Sequence, residues 1–119
     1  MPPMSKLVTT TLEQNGVFLI RCQGYLDDKG GIQLRETIVA SFAKGHQRFV
    51  LNFKGSPVIN SQGVSHLIEI AEIVVEDRHG KLGFVGLSEL ALNVFKTVDL
   101  LRVGEEFSDE EEALSAYRQ

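Results

Sequence analysis

Residues 48–67 read RFVLNFKGSPVINSQGVSHL and join a strand pattern to a helix pattern. Large apolar side chains alternate over residues 48–53, which predicts a central β-strand. Pro57 then excludes a continuous ladder through the following residues, because proline has no amide hydrogen to donate. Asn60 and Ser61 are both preferred N-cap residues, so a helix is predicted to begin here. The stretch therefore predicts a strand, a polar turn and a helix in succession.

The predicted helix continues to about residue 78 and has one broad apolar face. Its apolar residues recur at intervals of three and four, which is the spacing of one side of an α-helix. The face predicted to be buried consists of Val64, Leu67, Ile68, Ala71, Val74 and Val75. Gly63 falls in the first turn, where glycine weakens the helix but permits the close approach of another backbone.

A β-hairpin is predicted before this unit. Residues 7–13 and 17–23 have strand character, and Asn15-Gly16 between them is the strongest short signal for a hairpin turn. Cys22 stands on the apolar side of the second strand and is predicted to be a buried filler. The helix that follows is predicted to carry an apolar stripe of Leu34, Ile38 and Phe42, with Val39 beside it.

After the long helix, the pattern predicts a strand over residues 81–86 and a helix that begins at Ser88. A short strand is expected next. Ser108 and Glu111 match a capping box, in which each side chain satisfies the backbone amide of the other residue. This motif predicts the start of the last helix.

The order of elements predicts an α/β fold with a mixed sheet of four to five strands, an N-terminal β-hairpin and about four helices. The chain is expected to be one domain over residues 1–119, with an ordered core of about residues 6–118. The carboxyl ends of parallel strands meet at one edge of a sheet, where ligand-facing turns lie. Three turns are predicted at that edge, over residues 24–28, 56–63 and 86–88.

Composition argues against several classes of function. The chain has 119 residues, 43% of them hydrophobic and 24% charged, as is typical of a globular domain. Its formal net charge is −4, and it lacks a cluster of Lys or Arg that would follow phosphates, so direct binding of nucleic acid is not expected. No apolar run approaches the roughly 20 residues that span a bilayer, so membrane insertion is not expected.

One cysteine and the amino-terminal residues bear on the compartment. Cys22 is alone and cannot form an intrachain disulfide, which fits a reducing environment. Residues 1–6 lack the basic and apolar regions of a secretory signal. The chain is therefore expected to be cytoplasmic.

Ser61 admits two interpretations from its position. A serine at this place can simply cap the helix. Alternatively, the unpaired amides and the positive end of the helix dipole favour a negative group, so a phosphate could be added here without unfolding the helix. Such a phosphate would add about −1.5 to −2 charges to an exposed edge, and this change could switch a partner on or off.

Other side chains near Ser61 do not suggest catalysis. Ser61 and His66 are five residues apart and therefore point about 140 degrees apart on a helix. The sequence has no nucleophile elbow and no phosphate-binding glycine motif. The glutamates of the long helix indicate a solvated acidic face rather than metal ligands: Glu69, Glu72 and Glu76. Two histidines are expected to be ordinary surface residues, His46 and His79. No enzymatic activity, cofactor or metal is therefore predicted.

Two short motifs and the order of elements carry a resemblance to a known family. The motif GYLD occupies residues 24–27 after the second predicted strand, and NSQG occupies residues 60–63 after the third. With the late helix SDEEEALSAY, they make the chain resemble the STAS domain family of bacterial anti-sigma-factor antagonists. That family has G-E-L-D-like and D-S-S-G-like turns at these two places. The resemblance covers nearly the whole chain and implies a single STAS-like domain.

The resemblance implies a binding protein that phosphorylation switches off. Ser61 aligns with the serine that a partner anti-sigma factor phosphorylates with its own bound ATP. The unphosphorylated chain would bind that serine kinase and release the sigma factor, and a serine phosphatase would reset the cycle. Contacts with the partner are expected from Tyr25, Leu26, Asp27, Asn60, Gln62, Gly63, Ser65, His66, Leu87 and Ser88.

Three residues depart from the family pattern and leave a second interpretation open. Asn60 stands in place of an acidic residue and keeps the capping function without the charge. Gln62 replaces a second small hydroxyl residue, and Tyr25 replaces an acidic turn residue. The chain could therefore be a scaffold or assembly subunit of a stress-signalling or transporter-associated complex that has no phosphate cycle.

Two weaker alternatives stand beside these. A pocket at the same edge could bind a small ligand, and the chain could form a weak homodimer.

Overall fold

The computed structural model describes residues 5–118, and a five-stranded sheet forms its centre. The strands are β1 Val8–Gln14, β2 Val17–Gln23, β3 Arg48–Gly55, β4 Lys81–Val85 and β5 Glu105–Phe107. They lie side by side in sequence order. β1 and β2 pair antiparallel around a turn at Asn15 and Gly16, and β2 to β5 run parallel. The predicted mixed sheet with an N-terminal hairpin is confirmed.

Helices cover the two faces of this sheet unequally. The described helices are α1 Asp28–Phe42, α2 Ser61–Ala71, α3 Glu89–Thr97, the short α4 Leu100–Val103 and α5 Glu110–Tyr117. Buried side chains of α1 to α4 belong to one apolar core, and those of α5 belong to another on the opposite face. Among the described residues, none of the helices is long and apolar enough to cross a membrane.

The predicted helix over residues 61–78 is two structures in succession. α2 ends at Ala71, and a π-helical segment, Glu72–Asp77, continues it. The amide of Arg78 donates to the carbonyl of Ile73, five residues back, at 3.1 Å. The wider turn takes in one more residue than an α-helical turn, which the regular spacing of apolar residues does not reveal. The prediction of one uninterrupted α-helix is therefore wrong in this last part.

The larger core fills the space between the sheet and α1, α2 and α3. Phe84 of β4 has its ring centroid 5.1 Å from that of Phe95 and 6.3 Å from that of Phe53. All three side chains are fully buried. Each buried aromatic side chain removes a large apolar area from water, so this face supplies the larger share of the hydrophobic stabilisation.

Two residues lie at the margins of the predicted helix faces. Val39, beside the stripe of α1, is 45% exposed. Ile70 of α2, which the predicted apolar face does not include, is buried. α1 packs directly against α2, with Gly31 of α1 against the imidazole of His66. This contact covers a side of α2 that its own pattern does not mark as buried.

The smaller core lies between the sheet and α5. Its buried residues are Val17, Leu19, Val50, Val85, Ala113 and Tyr117. α5 begins one residue later than the predicted capping box, because Asp109 is the N-cap and accepts from the amide of Glu112 at 2.8 Å. The carboxylate of Glu112 in turn accepts from the hydroxyl of Ser108 at 2.7 Å. Ser108 therefore supports the cap without being the N-cap.

Polar contacts hold α5 against β2 and β3. Arg21 donates two hydrogen bonds to the Glu110 carboxylate, at 2.8 and 2.9 Å, and the side-chain amide of Asn52 donates a third at 2.6 Å. The hydrogen bond from Arg21 lowers the pKa of the Glu110 carboxyl, while burial opposes the shift. At the other end of α5, the hydroxyl of Tyr117 donates to Glu105 at 2.7 Å. Burial and this bond raise the pKa of Tyr117.

His46 and Cys22 test two predictions about burial. His46 is 8% exposed, so its predicted surface position is wrong. Its ring packs edge-on against Phe18, with the centroids 4.8 Å apart, and its Nε2 lies 3.4 Å from Glu13. Cys22 is buried as predicted, and burial raises the pKa of its thiol to about 12. Cys22 is therefore no nucleophile at neutral pH.

Candidate functional site

The turns that follow β2, β3 and β4 lie side by side at one edge of the sheet, as predicted. Leu26 joins the first two turns. Its amide donates to the carbonyl of Val58 at 3.2 Å, and its own carbonyl accepts from the amide of Asn60 at 3.1 Å. We call this surface the carboxyl rim; it consists of residues 24–27, 56–63 and 86–88.

Ser88 connects the third turn to the second. It is the N-cap of α3, and its hydroxyl accepts from the amide of Ala91 at 3.1 Å. The same hydroxyl donates to the carbonyl of Pro57 at 2.9 Å. The neighbouring Leu87 is half-buried against the larger core. Both residues therefore shape the rim chiefly through contacts within the chain.

Ser61 is the first residue of α2, and its side chain is exposed. Asn60 is the N-cap, with an extended backbone (φ −93°, ψ 177°) and with Oδ1 accepting from the amide of Gly63 at 2.9 Å. The carbonyl of Ser61 accepts from the hydroxyl of Ser65 at 3.1 Å. Within residues 5–118, no hydrogen bond engages Ser61 Oγ. The hydroxyl of Ser61 is thus not the cap of α2.

Three helices begin at the carboxyl rim, and they differ in charge. α1 has Asp27 as its N-cap and Asp28 in its first turn, and α3 has Glu89 in its first turn. α2 has no acidic residue in its first turn. A carboxylate near a helix N-terminus offsets the positive end of the dipole. Of these three helices, α2 therefore has the least compensated N-terminus, and it is the one that carries Ser61.

Leu26 and Gly63 lie beneath the surface of the rim. Leu26 is fully buried, and Gly63 is buried against it. A Cβ atom on Gly63 would collide with the carbonyl oxygen of Leu26. The predicted close approach of another backbone to Gly63 is confirmed, and that backbone belongs to the chain itself. In the described chain both residues are thus covered by its own atoms, and their contact with a partner stays a prediction.

His66 links two helices beside the rim. Its Nε2 lies 2.8 Å from Asp28 Oδ1 at the start of α1, and its side chain is 12% exposed. A Cβ on Gly31 would collide with the other side of the ring. Nδ1 is buried without a hydrogen-bond partner among the described residues. His66 thus fixes α1 against α2 and presents only a small part of its ring to a partner.

The remaining predicted contacts differ in exposure. Gln62 and Ser65 are exposed, whereas Tyr25 and Asp27 are half-buried. Asp27 accepts from the amide of Gly30 at 2.8 Å and is committed as the cap of α1. Gln62, Ser65 and part of Tyr25 therefore accompany Ser61 on the accessible surface.

Sequence reasoning missed two exposed apolar side chains at the rim. Val58 projects from the second turn, and Leu90 lies in the first turn of α3 with 61% of its surface exposed. The sequence of α3 could have shown that Leu90 is exposed. Ala91 is buried in the core, and adjacent residues point about 100 degrees apart on a helix.

The accessible groups at the rim are an exposed hydroxyl and a few apolar side chains. Within residues 5–118, no group of His, Cys, Asp and Glu side chains is arranged to hold a metal ion. Glu69, considered as a ligand in the sequence, pairs with Arg35 at 2.9 Å and joins α2 to α1. The rim offers a free hydroxyl at an uncompensated helix N-terminus, with apolar side chains nearby.

Comparison with protein families matches the STAS domain over residues 9–113. Comparison with curated protein sequences gives no match. Among solved structures, an anti-sigma factor antagonist from Mycobacterium paratuberculosis gives a TM-score of 0.81 at 18% identity. The alignment covers 96% of this chain and 96% of that chain.

Two other solved structures share this fold. The phosphorylated form of SpoIIAA, a Bacillus cell fate determinant, gives a TM-score of 0.74 at 22% identity, over 93% of this chain and 100% of that chain. A sulfate transporter family protein from Wolinella succinogenes gives 0.75 at 19% identity, over 89% and 88% of the two chains. At these identities the likeness shows the shared fold.

Proposed function

The chain belongs to the STAS domain family, and from this premise we propose that it binds an anti-sigma factor through the carboxyl rim and so releases a sigma factor. The structural likeness to anti-sigma factor antagonists supports this choice among the roles of STAS domains. The chain acts as a ligand and a substrate in this proposal, and the catalyst is its partner.

Phosphorylation of Ser61 is the proposed switch. The observation that supports it is that two neighbouring residues have different roles. Asn60 caps α2, whereas the exposed hydroxyl of Ser61 forms no hydrogen bond within the described chain. Transfer from ATP would form a bond from Ser61 Oγ to the γ-phosphorus and break the bond to ADP. The hydroxyl proton would leave to a base of the kinase or to water.

The phosphate would be compatible with the fold of the chain but not with the bound partner. The first turn of α2 lacks a carboxylate, so an added anion meets the positive end of the helix dipole without a like charge in that turn. At a docked surface, however, a new unpaired anion costs several kcal/mol to bury. Each 1.4 kcal/mol weakens a complex about tenfold. The phosphate on Ser61 would therefore leave α2 intact but cause the partner to dissociate.

The departure at Asn60 fits this account. Asparagine provides the same capping oxygen as aspartate but adds no negative charge beside the acceptor serine. A phosphate on Ser61 would thus be repelled less by its neighbour than in a chain with an acidic cap. We expect the charged state to be correspondingly well tolerated by α2.

Affinity capture from the native organism tests the switch, with wild type, Ser61→Ala and Ser61→Asp as baits. Alanine should retain the partner, and aspartate should lower its recovery at least about tenfold, because it places a charge where the partner docks. Ser115→Ala and Ser115→Asp are matched controls on an exposed serine of α5 that lies near the β1–β2 turn, away from the carboxyl rim, and both should retain the partner. Equal recovery with the Ser61 variants would reject the charge switch.

A scaffold or assembly subunit of a larger complex is the second candidate. The likeness to a sulfate transporter family protein and the presence of Gln62 beside Ser61 favour it. Mass spectrometry of the protein from its own cells separates the two candidates. Phosphate on Ser61 that varies with growth conditions supports the switch, and its absence under all conditions supports the scaffold.

A further inference from the structure

A groove lies on the α5 side of the sheet, beside the carboxyl rim. Its volume is about 490 Å³, and its lining includes Lys6, Val8, Gln23, Gly55, Pro57 and Val58. Val8 is 58% exposed and Val58 is 38% exposed, so both present aliphatic surface to this space. Pockets of about 300–1,000 Å³ with apolar walls and a few polar groups are typical of small-molecule sites.

The charge of the groove is opposite to that of the whole chain. Among the described residues of the lining, Lys6 has the one ionisable side chain, and none is Asp or Glu. No ion pair within residues 5–118 engages Lys6. The groove continues past Gly55 into a second depression, where Lys54 also forms no ion pair with the described residues, whereas Arg21 is already paired with Glu110. In a chain with a net charge of −4, this surface therefore favours an anion.

The walls of the groove are held in place by the backbone. The amide of Tyr25 donates to the carbonyl of Ser5 at 2.9 Å, and Lys6 forms a parallel bridge with Tyr25. Gly24 has φ +104°, and a Cβ there would collide with the carbonyls of Ser5 and Lys6. The segment that carries Lys6 is thus fixed against β2 before any ligand arrives. A pre-formed site spends less binding free energy on ordering its own chain.

We propose that this groove binds a small organic monoanion with an aliphatic body. Its carboxylate pairs with Lys6, the side-chain amide of Gln23 offers a hydrogen bond, and the aliphatic body lies on Val8 and Val58. The site stands independently of phosphorylation, because none of these side chains accepts the phosphate. The ligand nevertheless touches the turn that leads to Ser61, since Pro57 and Val58 of that turn line the groove.

Octanoate is the probe for this site, with octan-1-ol and octylammonium as neutral and cationic controls of the same length. Titration into the isotope-labelled full chain is followed by the amide signals of Gly24 and Gly55, which lie in the groove. Octanoate should shift both signals to saturation. Octan-1-ol should bind about fivefold more weakly, because it lacks the charge that pairs with an exposed lysine. Octylammonium should not displace octanoate from the groove, because its charge has the same sign as that of Lys6.

Variants assign the charge and the aliphatic contact. Lys6→Gln should weaken octanoate about fivefold and leave octan-1-ol unchanged. Lys44→Gln, which removes an exposed lysine from the turn between α1 and β3, should change neither. Val8→Thr should weaken both probes about threefold. The proposal is overturned if octan-1-ol binds as tightly as octanoate, if Lys6→Gln binds octanoate like wild type, or if no saturable shift occurs at Gly24 and Gly55.

Discussion

The two faces of the sheet are covered to different extents. The face under α1, α2 and α3 is buried by an apolar core that includes mutually packed phenylalanines. The other face carries α5, whose contacts with β2 and β3 end in a polar cluster around Glu110. Beyond that cluster, Gln23 and Lys54 are exposed on the open surface of the sheet.

The two faces therefore contribute differently to the stability of the fold and to the surface available for recognition. Apolar burial is non-directional and scales with area, so the fully covered face holds the fold together. Hydrogen bonds and ion pairs each contribute about 1 kcal/mol net, so the α5 face adds less stability but specifies where the helix lies. α5 begins at Glu110, beside Arg21 and Asn52, and does not cover the sheet beyond them. The groove beside the carboxyl rim therefore stays open. The predictions below test this division, beginning with the largest effect.

Phe84→Ala should be the most damaging change. The side chain is fully buried between Phe53 and Phe95, and its removal leaves a cavity that the sheet cannot fill. We expect a loss of about 3–5 kcal/mol in the free energy of unfolding, measured by urea denaturation. Such a loss is a large part of the total stability of a domain, which is typically about 5–15 kcal/mol.

Phe107→Ala is the matched change on the other face. Phe107 is half-buried and packs edge-on against Tyr117, with the ring centroids 5.3 Å apart. Because less of its surface is removed from water, this variant should lose about 1–2 kcal/mol. An equal loss for the two variants would show that the faces contribute alike, which contradicts the proposed division.

Glu110→Gln should have an intermediate effect that depends on pH. The carboxylate accepts hydrogen bonds from Arg21 and Asn52, and we expect the variant to lose about 1 kcal/mol at pH 7. The pKa of Glu110 is lower in the folded chain than its ordinary value of 4.5, so the folded state prefers the ionised form. The contribution is therefore complete above about pH 4.5 and is lost as the pH falls through the lower folded pKa.

Parallel urea titrations of wild type and Glu110→Gln at neutral and acidic pH measure this contribution. The two curves should converge as the pH falls. Glu111→Gln removes the neighbouring exposed carboxylate of α5, which faces only the helix dipole, and should stay within about 0.5 kcal/mol of wild type throughout. A gap that stays constant with pH would mean that ionisation of Glu110 does not stabilise the position of α5.

Periodicity predicts most of this architecture because one buried face leaves a regular trace in the sequence. The hairpin, the parallel strands and the buried Cys22 are examples. Periodicity fails where burial has a cause outside the element. Ile70 is buried in the larger core on the α2 side that packs near α1, and His46, just before β3, is buried against Phe18 of β2. The π-helical segment Glu72–Asp77 has no local signature of the same kind.

The candidate site could be predicted in position but not in detail. The turns at the rim follow from the order of strands, and the exposure of Ser61 follows from its place at a helix start. The burial of Leu26 depends on a ladder between distant turns, which no local pattern contains. The groove likewise needs Lys6 and Val58 to meet across the sheet edge, and it became visible only in three dimensions.

Tyr117→Phe should have the smallest effect and tests how much the polar contacts of α5 contribute apart from its packing. The ring is buried, and its hydroxyl donates to Glu105, whose own side chain is exposed. Water can replace the lost donor at Glu105, so we expect a loss of about 0.5–1 kcal/mol in urea denaturation. Tyr25→Phe, at the half-buried rim position, is the control for loss of a tyrosine hydroxyl and should stay within about 0.5 kcal/mol of wild type. A loss for Tyr117→Phe as large as that for Phe107→Ala would mean that hydrogen bonds rather than apolar contacts hold α5 on the sheet. The two faces would then differ in the type of interaction that holds their helices as well as in the apolar area that they bury.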